Sequence, residues 1–166
     1  MVSRFFYPMT LMQKVSNQCV LDWYKAWNRR DWEAVAQLLD ARFSFEDTAL
    51  RQCLEGKYAF LRLCRQYTQA FPDGAIDVTR AIHSGAPPFE IITVEYALRG
   101  RQDGVFLDFP ATHRKVEILR CDVLYFEHQR LMHCRSYGDL YHVLKELEHI
   151  PSVTSQGFSP RVVKTN

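Results

Sequence analysis

The chain predicts a single α+β domain: three N-terminal helices packed on one face of a curved, mainly antiparallel β-sheet, with a cone-shaped interior between them. Three observations carry this reading. Apolar residues recur at three- and four-residue steps through the first part of the chain, the spacing of helices with one buried face. From Ala75 onward five strand-like segments follow one another with turn residues between them, and helices followed by a run of strands make an α+β order rather than an alternating one. Finally, 166 residues at 47% hydrophobic content can fill one sizeable core but not two comfortable ones. The domain is expected over residues 1–150, with the polar, unpatterned stretch 151–166 as a loosely docked tail.

Met12, Val15, Cys19, Trp23 and Trp27 lay one stripe along a first helix, which should stop near Asn28 to Arg30. Asp31 can cap a second helix, DWEAVAQLLD, whose Trp32, Val35, Ala36 and Leu39 share a face, with Glu33 well placed in its first turn. The segment ARFSFED then alternates Phe43 and Phe45 with polar residues and reads as a short half-buried strand ending at Asp47. Helical spacing returns in KYAFLRLCRQYTQAF, and Pro72, Asp73 and Gly74 end that helix. The strand-like segments are AIDVTRAIH, FEIITVEYALRG, VFLDF, KVEILRCDVLYF and RLMHCRSY, and a closing helix, DLYHVLKELEHI, runs to Pro151.

The last hairpin holds the first chemical signal. Its first arm sets Asp122 among residues of a buried strand, and its second arm closes on Asp139 in SYGDL. Charging a carboxyl in a low-dielectric core is costly, so such a group is paired, held neutral or used in proton transfer. Each acid therefore has two readings: Asp122 is a site residue or the ion-pair partner of Arg120 or Arg135, and Asp139 is a site residue or a helix cap. The aromatics Trp23, Trp27, Phe45, Phe71 and Tyr137 stand where a cavity between sheet and first helix would be lined; aromatic enrichment alone is more often the mark of an ordinary core, and it is the acids among them that point to a site.

Other classes find little support. The 21 Lys and Arg are offset by 19 Asp and Glu, so the electrostatic footprint of a nucleic-acid binder is missing. No apolar run approaches the roughly 20 residues of a membrane span. Five cysteines stand far apart with no CxxC, which reads as reduced core thiols in a cytoplasmic protein. The six histidines are scattered and no third ligand joins His128 and His133, so no metal is expected. Without GxGxxG, P-loop or GxSxG, nucleotide cofactors and nucleophile-elbow hydrolysis are not indicated, and no cofactor is expected.

The phrases WNRRDWEAVAQLLDARFSFED, FPDG at the end of the third helix, FPATHRKV and SYGDLYHVLKEL occur in an order that resembles the nuclear-transport-factor-2-like superfamily, and within it the SnoaL-like polyketide cyclases. The resemblance covers about Val15 to Leu147. It implies a cofactor-independent, aldol-type ring closure with an acid/base Asp near the last strand, a position matched here by Asp139. Two glycines usual in that family are missing: His113 stands in ATHR, which puts a polar group toward the cavity mouth, and EHQR predicts a differently shaped hairpin turn. Steroid Δ-isomerases share the cone. Their resemblance implies Asp47 as base and Asp122 as a protonated donor to the oxyanion, with Trp23 at the tyrosine position and Tyr24 one residue off.

These readings converge on a cofactor-independent cyclase or isomerase for a small hydrophobic carbonyl compound, with Asp139 as acid/base, Asp122 as neutral donor and Asp47 as second acceptor. The competing class is a non-catalytic binding or assembly module, since fold does not imply function. Strands with apolar residues on both faces, such as VLYF, predict a homodimer through the outer face of the sheet.

Overall fold

The computed structural model describes residues 18–150. Met12 and Val15 of the expected helical stripe, and the 151–166 tail, lie outside the described residues. Helix α1 spans Gln18–Arg29 and α2 spans Trp32–Leu38. Asp31 caps α2 as its position predicts, its carboxylate accepting the Ala34 N–H at 3.0 Å. The chain passes without a loop into strand β1, Leu39–Asp47, whose Leu39, Phe43, Phe45 and Asp47 are buried. Strand β2, Gln52–Glu55, has no counterpart in the sequence reading, because four residues are too few to declare a period. Helix α3, Lys57–Ala70, starts from Gly56, which takes φ +80°, a backbone state that favours glycine.

The remaining strands are β3, Ala75–Ala86; β4, Phe89–Arg101; β5, Lys115–Glu127; and β6, Arg130–Gly138. VFLDF is a tight turn and not a strand. Phe106 and Phe109 exchange backbone hydrogen bonds of 3.0 and 2.9 Å across Leu107 and Asp108, both left-handed at φ 49° and 66°. Its alternation reflects Phe106 packing inward on Tyr67 and Phe71. Helix α4, Leu140–Glu146, is also shorter than its sequence pattern, because Glu148 takes φ 58° and turns the chain out of the helix.

The six strands form one sheet in the order β2-β1-β6-β5-β4-β3. All neighbours are antiparallel except β1 and β6, which run parallel, so the first of the described strands docks beside the last. The inward side chains of β4 and β5 include Ile92, Val94, Ile118 and Leu124, all buried, and the first core fills the space between this face and α1, α2 and α3. Each fully buried aliphatic or aromatic side chain there contributes about 1.5–3 kcal/mol relative to exposure. A second core, around Phe71, Phe106, Val116, Val143 and Leu147, holds α4 against the other end of the sheet.

Strands β5 and β6 meet in a two-residue turn at EHQR. Its two central residues, His128 and Gln129, take φ 50° and 64°, the conformation glycine and asparagine favour in two-residue hairpins. The strain is borne by ordinary side chains. Gln129→Gly is therefore expected to stabilise the protein by about 0.5–1 kcal/mol, relief of left-handed strain exceeding the added unfolded-state entropy. A urea midpoint that does not rise would contradict this.

Candidate active site

The geometry begins with the parity of β5. Val116, Ile118, Arg120, Asp122, Leu124 and Phe126 point to the helices, so one cation and one carboxylate enter the interior two residues apart. Register does the rest: Asp122 lies opposite Val94 on β4 and Ser136 on β6, while Arg120 lies opposite Tyr96. Asp47 arrives on the same floor from β1, whose parallel pairing sets it beside Ser136.

The two buried acids are held in different ways. Asp47 is locked: its Oδ1 accepts the N–H groups of Ala49 and Leu50, each at 3.0 Å, and its Oδ2 accepts Arg120 Nη2 at 2.6 Å. Asp122 makes no ion pair among the described residues. Its Oδ2 accepts the Tyr24 hydroxyl at 3.1 Å, and its Oδ1 accepts the Tyr96 hydroxyl at 3.3 Å and the Ser136 hydroxyl. Ser136 Oγ in turn accepts Arg120 Nε at 3.0 Å, which ties the two acids into one network.

Burial raises the Asp122 pKa above the ordinary carboxyl value, and the Ser136 hydroxyl, the nearby Arg120 charge and the two tyrosine hydroxyls only partly offset it. Tyr24 and Tyr96 are pushed well up, first by burial and then by the Asp122 charge, so both phenols stay protonated. Burial disfavours the Arg120 charge, but the surrounding Tyr96, Tyr67, Asp47 and Asp122 outweigh it and the guanidinium stays charged. Cys64 and Cys134, also in the wall, have thiols raised well above their usual range by burial, which leaves them poor nucleophiles.

This polar floor faces an apolar vault. Trp23 and Trp27 of α1, Phe45 of β1, Phe60 and Leu63 of α3 and Ile76 of β3 close the cavity over it. Of the residues singled out in the sequence, Trp23, Tyr24, Trp27, Phe45, Asp47 and Asp122 thus meet in one cavity. The others are elsewhere. Asp139 caps α4, accepting the His142 N–H at 2.9 Å, and borders a separate small recess. Phe71 is packed in the second core against Phe106. His113 is exposed, pairs with Asp103 at 2.9 Å and is not among the residues lining the cavity. Tyr137 points out of the sheet, with the Arg135 guanidinium over its ring, because its neighbour Ser136 takes the inward position.

Sequence reasoning missed Tyr96, Arg120 and Ser136. A signal exists for Arg120, which shares its strand parity with Asp122, whereas the alternation around Tyr96 is that of any core strand. Among the described residues, no group of three or more His, Cys, Asp or Glu is placed to hold a metal ion, and no helix is long and apolar enough to cross a membrane.

The sequence profile of the SnoaL-like polyketide cyclases matches residues 17–147. The chain belongs to that family. No curated protein matches the sequence, but solved SnoaL-like and isomerase-like structures share the fold. AclR of Streptomyces galilaeus, a candidate hydroxylase, superposes with a TM-score of 0.68 at 16% identity, over 80% of this chain and 95% of its own. IdmH of Streptomyces antibioticus, a candidate polyketide cyclase, gives 0.68 at 17% identity, over 78% and 96%. A protein of Catenulispora acidiphila with a ketosteroid isomerase-like fold, solved with trimethylamine, gives 0.64 at 17% identity, over 81% and 94%. At such identities the likeness shows the fold alone, so the chemistry of this SnoaL-like chain rests on its own cavity.

Proposed function

We propose that this SnoaL-like chain is a cofactor-independent enzyme that moves a proton on a small, apolar carbonyl compound, as a cyclase or isomerase does, with Asp122 as acid/base. The observation that carries the reading is a buried carboxylate facing an apolar cavity with three hydroxyl donors and no ion-pair partner among the described residues. A carboxylate with a raised pKa is the stronger base, and the apolar vault suits a hydrophobic substrate. As Asp122 takes a proton from the carbon beside the carbonyl, negative charge passes to the carbonyl oxygen. The hydroxyls of Tyr24 and Tyr96, no longer facing a carboxylate, can turn to that oxygen. The site then carries one negative charge throughout.

Asp139 and Asp47 take no part in this scheme. The first is engaged as a helix cap outside the cavity, and the second is held on three sides. The test is deuterium exchange at the α-carbon of acetophenone and benzoylacetone in D₂O, followed by proton NMR. Wild-type protein is expected to accelerate it. Exchange no faster than in buffer, over a panel of apolar ketones, would remove the enzymatic reading.

Two further properties complete the proposal. The outer face of the sheet exposes Ile82, Ile91, Leu119, Tyr125 and Tyr137, which supports a homodimer built across it. Sedimentation equilibrium is expected to give twice the 19.5 kDa chain mass at micromolar concentration, and a monomer there would refute it. Cys53, Cys64, Cys121 and Cys134 are free, as suits a reducing compartment such as the cytoplasm.

A further inference from the structure

The proposed chemistry uses Asp122 and leaves a buried ion pair in the same cavity wall without a role. Arg120 is the one cation among the described residues lining the cavity, and Asp47 holds it at 2.6 Å with side-chain exposures of 12% and 1%. The pair is rigid on both sides. Asp47 is fixed by the Ala49 and Leu50 N–H groups, and Arg120 is fixed by Ser136. The two charges cancel within the wall. Any net charge that these lining residues present to a ligand is then that of Asp122, which is negative or zero.

A carboxylate entering this space would give up its hydration and find Arg120 already paired, with Asp47 behind it and Asp122 beside it. A ketone or ester brings no charge to be neutralised, and its carbonyl oxygen can take the hydroxyl of Tyr24 or Tyr96 when Asp122 is protonated. We infer that Asp47 is a specificity-determining residue, which by neutralising Arg120 makes the cavity select uncharged esters and ketones over the corresponding carboxylic acids. This rests on reading the cavity as a ligand site and names the substrate class for it. Removing the Asp47 charge unmasks a guanidinium whose planar fork matches a carboxylate, and so inverts the preference.

Trp23 and Trp27 line the cavity, so binding can be followed by tryptophan emission. The probes are methyl benzoate and benzoate at pH 7, titrated into wild type and Asp47→Asn. Wild type is expected to bind the ester tighter by about tenfold or more, and the variant to lose or reverse that ratio. Asp47→Asn breaks a buried pair, so its fold is checked by circular dichroism, and the wild-type ratio tests the selectivity whether or not the variant folds. Equal wild-type affinities would overturn the inference while leaving the cavity a ligand site. No emission change with either probe at millimolar concentration would overturn both. An unchanged preference in a folded variant would remove Asp47 from the role.

Discussion

Asp122→Asn is expected to yield a folded protein whose α-proton exchange is slower by about 10²- to 10⁴-fold, the usual contribution of a positioned general base. The amide keeps the shape of the side chain and still offers an oxygen to the hydroxyls of Tyr24, Tyr96 or Ser136, but it cannot take a proton. Stability supplies an independent readout. Burial raises the native Asp122 pKa, so the folded state binds this proton more tightly than the unfolded chain does. The stability it contributes is full below the unfolded carboxyl value of about 3.9 and is lost as pH rises through the raised native value. The variant has no such titration. Its melting temperature relative to wild type is therefore expected to climb with pH from about 4 upward and then level off. Undiminished exchange in the variant would end the catalytic reading of Asp122, and a pH-independent gap would show that its carboxyl is not perturbed.

Arg120→Leu is expected to cost about 3–5 kcal/mol of stability, because removing one partner leaves a buried charge without its counterion. Asp47 is 1% exposed and cannot recover its lost partner from water. The Ala49 and Leu50 N–H groups that remain on its other oxygen are neutral donors. Ser136 also loses the Nε donor that steadies its hydroxyl against Asp122. Urea denaturation measures the loss directly, and a change of less than about 1 kcal/mol would mean that the pair is solvated in solution. Replacing both partners, Asp47→Asn with Arg120→Met, is expected to recover part of it, since no charge is then left buried alone and the amide oxygen still accepts the Ala49 and Leu50 N–H groups.

The sequence determined those parts of the fold that depend on neighbours in the chain. The Asp31 cap needs only a carboxylate three residues before the Ala34 N–H, and the alternation of Ile92, Val94, Tyr96 and Leu98 is a property of extended backbone. Asp122 was legible for the same reason: an acid at a buried parity of an apolar strand is conspicuous wherever the strand packs. Tertiary structure decided which of these features meet. SYGD offers Tyr137 and Asp139 as the prominent side chains, yet strand parity turns the smaller Ser136 inward and chain reversal spends Asp139 on α4. The partner of Asp47 is Arg120, 73 positions away, brought there by the parallel docking of β1 on β6 and the antiparallel docking of β6 on β5. No local pattern encodes that distance. Periodicity fixes the face on which a side chain stands, but burial of charge is settled by what stands beside it on the assembled sheet, and that is known only when the strands are paired.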